Sequence, residues 1–284
     1  MTYKGLFIGM AAWDMVYTSE RMPGSDEKLM AEDLFMAAGG PACNAAVTFS
    51  ALGGEAALIG AVGRHPIASM IKEEIGKHGV LLMDLAPDDD EAPPVSSIII
   101  TESTGNRAVI SRAARVVNRI PGIQEPDVIM IDGHQMEASA GIMEKFEAAP
   151  VVVDAGSYKQ GFDKILSKAT YVLCSADFHP PGVEDEDAVF DYLLDLGVEN
   201  AAVTHGPGAV RFMEGEDAGW LEVPEVRAVD TTGAGDIFHG AFSRYILEND
   251  FITALNHAAE LASFSCRYRG TREWMTGKKE FQTY

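Results

Sequence analysis

The chain has 284 residues, is 47% apolar and carries a formal net charge of −21 at pH 7. That length holds one large α/β domain with an insertion or two smaller ones, and so acidic a chain argues against nucleic acid and anionic membrane as partners. Cys43, Cys174 and Cys266 are scattered without Cys-x-x-Cys or Cys/His spacing, no signal peptide is read and no apolar run reaches spanning length, so a cytoplasmic protein with reduced thiols is expected rather than a zinc or disulfide framework.

Gly5-Leu6-Phe7-Ile8-Gly9-Met10 predicts a buried first strand. Asp14 follows in the loop at its C-terminal end, where open α/β sheets bind ligands. Residues 15–37 are mixed, with a break at Pro23-Gly24 and a strand exposed on one face over 28–36. Gly39-Gly40-Pro41-Ala42-Cys43-Asn44-Ala45-Ala46 then opens a helical pattern that runs to Leu52. Proline suits a first helical turn, the glycines permit close approach of a ligand, and the Asn44 amide, one turn in, can both donate and accept. Cys43 is a candidate for reaction with thiol reagents. A strand over 55–62, a helix over 67–78 and a strand over 80–85 precede the acidic run Asp88-Asp89-Asp90-Glu91, a solvated loop or a metal-binding one. Residues 95–101 and 107–110 flank the turn Ser103-Thr104-Gly105-Asn106 and read as a hairpin.

Val128-Ile129-Met130-Ile131 is a buried strand ending in Asp132-Gly133-His134-Gln135-Met136-Glu137, where His134 and Glu137 offer a weak metal-ligand spacing. A helix over 138–146 follows, then Val151-Val152-Val153-Asp154-Ala155-Gly156 as strand and turn, and a strand over 171–175. A helix over 187–196 and a strand over 201–204 lead to His205-Gly206-Pro207-Gly208, which lacks the third glycine and the helix of a dinucleotide fingerprint. A strand over 220–226 and helices over 237–247 and 252–266 complete the pattern. This alternation predicts a mostly parallel sheet between helix layers. No GxxxxGK[ST] stretch is present, which argues against a P-loop kinase.

Between the last strand and the helix over 237–247 lies Asp230-Thr231-Thr232-Gly233-Ala234-Gly235-Asp236. The N–H groups of Gly233, Ala234 and Gly235 fall at a helix start, where donors lack partners and the dipole is positive. Together they make an anion site. Asp236 at its mouth is suited to take a proton from a hydroxyl that attacks a phosphoryl group. The plainer reading is a glycine turn with Asp236 capping the helix.

This stretch, with Gly39 to Ala46 running on to Ala51-Leu52-Gly53-Gly54, resembles the two signatures of the ribokinase-like (PfkB) carbohydrate kinases, in that family's order and over nearly the whole chain. The resemblance implies a three-layer α/β/α fold with a mostly parallel central sheet and a small β-sheet lid. It implies one domain over residues 1–284, with lid strands inserted at about 15–37 and 93–111. It makes Asp236 the catalytic base and Gly233, Ala234 and Gly235 the anion hole. Asp14, Gly40 and Asn44 become sugar contacts, and Ser175, Thr204, Gly206, Gly208 and Asn256 nucleotide contacts. Asp154 takes a place near Mg2+ and the phosphates, and Asp230 and Thr232 border a monovalent cation such as K+. Pro41 stands where many members carry Lys, and Ser175-Ala176-Asp177-Phe178 where many carry Asn-x-x-Glu. The implied partners are a small sugar, ATP and, through the lid, a second copy of the chain.

The function expected is transfer of the γ-phosphoryl group of ATP to a primary hydroxyl of a small sugar. Ile131-Asp132-Gly133-His134-Gln135 is similar to the ketohexokinase-like branch, and residues 229–241 resemble sulfofructose kinases. Both point to a ketose or an acidic sugar. An anionic substrate needs cations, for which Lys28, Arg107, Arg112 and His134 are candidates; otherwise they are solvated charges. A nucleoside kinase and a non-catalytic sugar or nucleotide sensor on the same fold remain as alternatives.

Overall fold

Short runs rich in valine, isoleucine and leucine alternate with helix-length segments, and in the computed structural model the runs become strands, those at the centre of the large sheet buried. The structure describes residues 2–104 and 107–281. In chain order the elements are β1 (Lys4–Ile8), β2 (Ala12–Ser19), β3 (Asp33–Gly39), α1 (Pro41–Ala51), β4 (Glu55–Gly60), α2 (Pro66–Lys77), β5 (Val80–Asp84), β6 (Val95–Thr101) and β7 (Arg107–Ser111). They continue with β8 (Val128–Ile131), α3 (Met136–Lys145), β9 (Val151–Ala155), α4 (Asp163–Leu166), β10 (Tyr171–Ser175), α5 (Glu186–Asp195), β11 (Asn200–His205), β12 (Gly208–Glu214) and β13 (Asp217–Leu221). Last come α6 (Ala234–Tyr245), α7 (Phe251–Ser265), a 3₁₀ turn (Glu273–Gly277) and α8 (Lys278–Phe281).

The large sheet runs β13-β12-β11-β10-β9-β8-β1-β4-β5. From β11 to β5 every pair is parallel, and β12 and β13 add an antiparallel edge. A parallel sheet needs cover on both faces. Along β1, Phe7 enters one core with Phe49, Leu58, Ile71, Phe242 and Leu255, while Leu6 and Ile8 enter the other with Ile129, Ile142, Phe162 and Leu193. The three-layer architecture follows from that alternation. No helix among the described residues is long and apolar enough to cross a membrane.

A second sheet, β3-β2-β6-β7, stands apart. Its central strand β2 pairs antiparallel with β3 and parallel with β6, and β6 pairs antiparallel with β7. Gly105 and Asn106 of the expected turn lie outside the described residues. Only three residues separate β1 from β2, so Asp14 lies inside a strand rather than in a loop after β1. The strand expected over 28–36 begins at Asp33, and the one expected over 220–226 ends at Leu221, before Pro224, whose missing N–H suits no ladder interior. The Gly206-Pro207 turn joins β11 to β12 as a hairpin.

Candidate active site

The parallel strands point their C-terminal ends toward the starts of α1 and α6, the arrangement in which open α/β sheets hold ligands. The start of α1 is crowded. Gly40 has φ +95°, and a Cβ there would lie 2.6 Å from Met10 O. A Cβ on Gly39 would lie 1.8 Å from Asp14 Oδ2, so the first glycine makes room for that carboxylate. Asp14 pairs with Ala37 on one side and Ser96 on the other. Burial raises its pKa, opposed by the Ser96 hydroxyl and the positive charge of Arg272.

No side chain of α1 caps its own N-terminus. Instead buried Asp132, just past β8, reaches across: its Oδ2 accepts from Met10 N at 2.8 Å and Ala42 N at 3.1 Å. Its Oδ1 accepts from His134 N at 2.9 Å and lies 3.1 Å from His134 Nδ1. Burial works against the charged carboxylate, but the His134 ring and the Met10 and His134 amides outweigh it and hold the pKa low. A Cβ on Gly9 would collide with this carboxylate.

At α6, Gly233 is the left-handed N-cap, with φ +69° and no side-chain capping bond. Asp185 and Asp250, by contrast, cap α5 and α7. Ala234 N makes a long contact, 3.3 Å, to Thr231 O; Gly233 N and Gly235 N have no hydrogen-bond partner among the described residues. Asp236 stands in this first turn. Its Oδ2 accepts from Asn44 Nδ2 at 2.7 Å, joining the two glycine-rich stretches. Burial, with repulsion from Asp154, raises the Asp236 pKa to about 7 against the pull of the Asn44 hydrogen bond. A half-buried carboxylate near neutrality, facing uncapped amides, has the chemistry of a general base beside an anion site. One turn on, buried His239 places Nδ1 2.6 Å from Gly235 O and 3.7 Å from Asp154 Oδ2.

The neighbouring strand ends bring together part of the expected nucleotide set. Ser175 and Thr204 are register partners; Ser175 Oγ donates to Gly156 O at 2.7 Å, and Asp154 Oδ1 accepts from Gly156 N at 3.0 Å. Gly206 has φ +61° in the hairpin turn that ends at Gly208. Asn256 sits on α7 within reach of Glu260, which helps line a cavity of about 860 Å³ with Val226, Arg227, His257 and Phe264. Asp230 joins two loops: Oδ1 accepts from Thr232 N and Oδ2 from Gly270 N, both at 2.8 Å. One bond to each oxygen leaves acceptor capacity for a cation. Among the described residues no three His, Cys, Asp or Glu side chains converge on a metal position, at His134 and Glu137 or elsewhere. Asp154 is a single carboxylate, which fits Mg2+ that arrives on phosphates and keeps its waters.

The expected cations are placed differently. Arg112 is engaged by Glu91 at 2.8 Å and Ala92 O at 2.5 Å, within a network in which Asp89 and Asp90 meet Arg115 and Arg64. Three of the four carboxylates of the acidic run are therefore paired with arginines distant in sequence. Lys28 is exposed in the loop between β2 and β3, and Arg107 is exposed on β7. No contact among the described residues joins Lys28, Arg107 or Arg112 to Asp14, Asn44 or Asp236. His134 belongs to Asp132. Cys43 is fully buried, and burial pushes its pKa up to about 12, so it is no reactive thiol. The cation that does reach the centre is Arg272, bound to Asn44 Oδ1 at 2.9 Å.

Known proteins share this architecture. The chain is 24% identical to a ribokinase of Bacillus subtilis over 285 residues, covering 97% of each protein. It is 23% identical to a deoxyribokinase of Salmonella typhi, covering 98% of this chain and 97% of that one. A putative ribokinase from Agrobacterium tumefaciens superposes with a TM-score of 0.83 at 22% identity, over the full length of both chains. These relatives are pentose kinases by name, and they lend no support to the expected ketohexokinase or sulfofructose-kinase branch. The sequence model of the pfkB family carbohydrate kinases matches residues 4–276, and with that match over nearly its whole length the chain belongs to the pfkB family of carbohydrate kinases.

Proposed function

We propose that the chain transfers the γ-phosphoryl group of ATP to the primary hydroxyl of a small neutral sugar, a pentose of the ribose type. The observation that carries this reading is the Asn44–Asp236 hydrogen bond at the uncapped start of α6. Asp236 takes the hydroxyl proton as that oxygen attacks in line. The amides of Gly233, Ala234 and Gly235 receive the charge that develops on the phosphoryl oxygens; losing one such donor costs about 3 kcal/mol in comparable oxyanion sites. Asp14, Gly40 and Asn44 orient the sugar. Ser175, Thr204, Gly206, Gly208 and Asn256 border the nucleotide. Asp154 would help hold the Mg2+ that accompanies ATP, and that ion would supply charge neutralisation at the phosphates. Asp230 and Thr232 border a monovalent cation.

The neutral substrate follows from charge. Asp14, Asp154 and Asp236 surround the centre, and the guanidinium that reaches it among the described residues, Arg272, is matched by Glu74 at 3.1 Å. An anionic sugar meets no unpaired cation among the described residues there. The small sheet acts as a lid within one catalytic unit over residues 1–284. Exposed Leu34, Phe35 and Met36 on β3 and Val109 and Ile110 on β7 support pairing of that lid with a second copy. Three buried free thiols support work in the cytoplasm.

The test is ADP release from MgATP with potassium present, across pentoses, deoxypentoses, ketoses, sulfosugars, sugar acids and nucleosides. Neutral pentoses are expected to turn over best, and Asp236→Asn to lose several orders of magnitude in kcat while still binding sugar. A preference for an acidic sugar, or near-normal turnover by Asp236→Asn, defeats the reading.

A further inference from the structure

We propose that Arg272 is a positioning residue for the Asp236 base and acts through Asn44; the role rests on the kinase reading above, while the geometry does not.

The Arg272 side chain is 10% exposed and ties its own loop to three other elements. Nε donates to Glu74 Oε1 on α2 at 3.1 Å, and Nη2 to Ala38 O on β3 at 2.8 Å. Nη1 donates to Thr271 Oγ1 at 2.8 Å and to Asn44 Oδ1 on α1 at 2.9 Å. The last contact decides polarity. A guanidinium has donors only, so the face of the Asn44 amide turned to Arg272 must be its oxygen. The nitrogen must then face Asp236, and it does, at 2.7 Å. Without Arg272 the amide is free to turn over and bring its oxygen against the carboxylate. With it, Asp236 Oδ2 is held by a donor and Oδ1 is left for the acceptor hydroxyl.

Arg272 is itself braced. Glu74 is held to its ionised form because His78 and Arg272 outweigh the effect of burial. Two residues earlier, Gly270 N binds Asp230 Oδ2, within the stretch that leads to Asp236. The loop 270–272 is thus anchored to the start of the motif at one end and to Asn44 at the other. The other charged groups bearing on Asp236 are Asp154 from β9, Asp14 from β2 and His239 from α6, and none of them contacts the Asn44 amide.

The test follows the Asp236 carboxyl by 13C NMR titration, assigned against Asp236→Asn, in the full chain. Asn44→Ala and Arg272→Met are each expected to raise the midpoint by about half to one pH unit, because a hydrogen bond to the charged form is lost. If Arg272 acts through Asn44, adding Arg272→Met to Asn44→Ala moves the midpoint no further. In turnover, Arg272→Met is expected to lose about 10–100-fold in kcat, with a smaller change in the sugar KM and the acid limb of the pH profile moved up. Arg272→Lys keeps the Glu74 pair but not the fork; it is expected to recover part of both effects, and it carries the test should the Met variant fail to fold. An unchanged midpoint in Arg272→Lys and Arg272→Met, or a full additional shift on the Asn44→Ala background, overturns the proposal. A wild-type chain that phosphorylates nothing overturns the kinase reading instead, and the titration still decides the contact.

Discussion

Gly240 sets the distance between the two helices that carry Asn44 and Asp236, and replacing it with alanine should damage both stability and turnover. A Cβ at this position would lie 2.4 Å from Ala45 O, 2.8 Å from Ala45 Cα and 2.8 Å from Thr48 Cβ. Two of those atoms are helix backbone and cannot swing aside. Relief to ordinary contact requires α1 and α6 to part by about 1 Å. Overpacking of this kind costs about 1–3 kcal/mol. In a chain of this size each kcal/mol lowers Tm by about 2–3 °C. The chemical effect is larger than the thermal one, because Asn44 is next to Ala45 and Asp236 lies one turn before Gly240. A displacement of about 1 Å in a reacting pair costs on the order of 100-fold in rate. Calorimetry and steady-state ADP release on Gly240→Ala should therefore show a drop of several degrees and a much larger loss of kcat. Gly76→Ala is the control: it lies in α2, and its Cβ would meet nothing within 4 Å. There alanine should stabilise slightly through helix propensity. Equal Tm and kcat for Gly240→Ala and wild type would refute the packing argument.

Two further outcomes concern ionisation. With the Asp236 pKa raised to about 7, kcat/KM should climb with pH through that region; Asp154→Asn removes a repelling charge and should move the limb to lower pH, as a pH–rate profile would read. The same shift has a stability consequence. The folded chain holds a proton on Asp236 that the unfolded chain releases near pH 4, so ionisation erodes stability between about pH 4 and 7, and the loss persists above. Asp236→Asn should melt higher than wild type at pH 8 and alike at pH 3.5; the reverse order in a Tm series would contradict the burial account. Cys43, Cys174 and Cys266 are all buried with raised pKa values, so the native chain should take up no thiol reagent until unfolded. Fast labelling of Cys43 in the native chain would show that α1 opens.

The parallel strands were readable because each is a short apolar run closed by small residues, and α1 and α6 because glycines and a proline mark their starts. Asn44 and Asp236 were readable for the same local reason. β2 was missed: its residues Ala12–Ser19 mix buried and half-buried positions, and it follows β1 after only three residues. β12 was hidden by the Gly206-Pro207-Gly208 pattern, which looks like a ligand loop and is a hairpin turn. Glu74 carries no local signal, Asp132 was readable only as a strand-end residue, and Arg272 only as part of a stretch, Gly270-Thr271-Arg272, that resembles the family's cation loop. Their importance consists of contacts between residues far apart in the chain, such as Arg272 to Asn44, and no periodicity encodes those. The pairing of Arg112 with the acidic run was not readable, because Glu91 lies 21 residues away and neither stretch carries a sign of the other.

The placement of β1 has a consequence for biosynthesis. It precedes the other strands in the chain yet sits inside the sheet, between β4 and β8. Its β4 edge can close once residue 60 has emerged, but its β8 edge must wait for residue 131. At translation rates of about 5–20 residues per second, an apolar strand edge stays open for roughly 4–14 s. During that interval the nascent chain presents a template for mispairing. The contact between Asn44 and Asp236 forms later still, and Arg272 reaches Asn44 only when nearly all of the chain is available. A ribosome-released N-terminal fragment would thus carry the exposed edge and none of the completed site, which makes truncated products of this chain natural clients for chaperones and proteases.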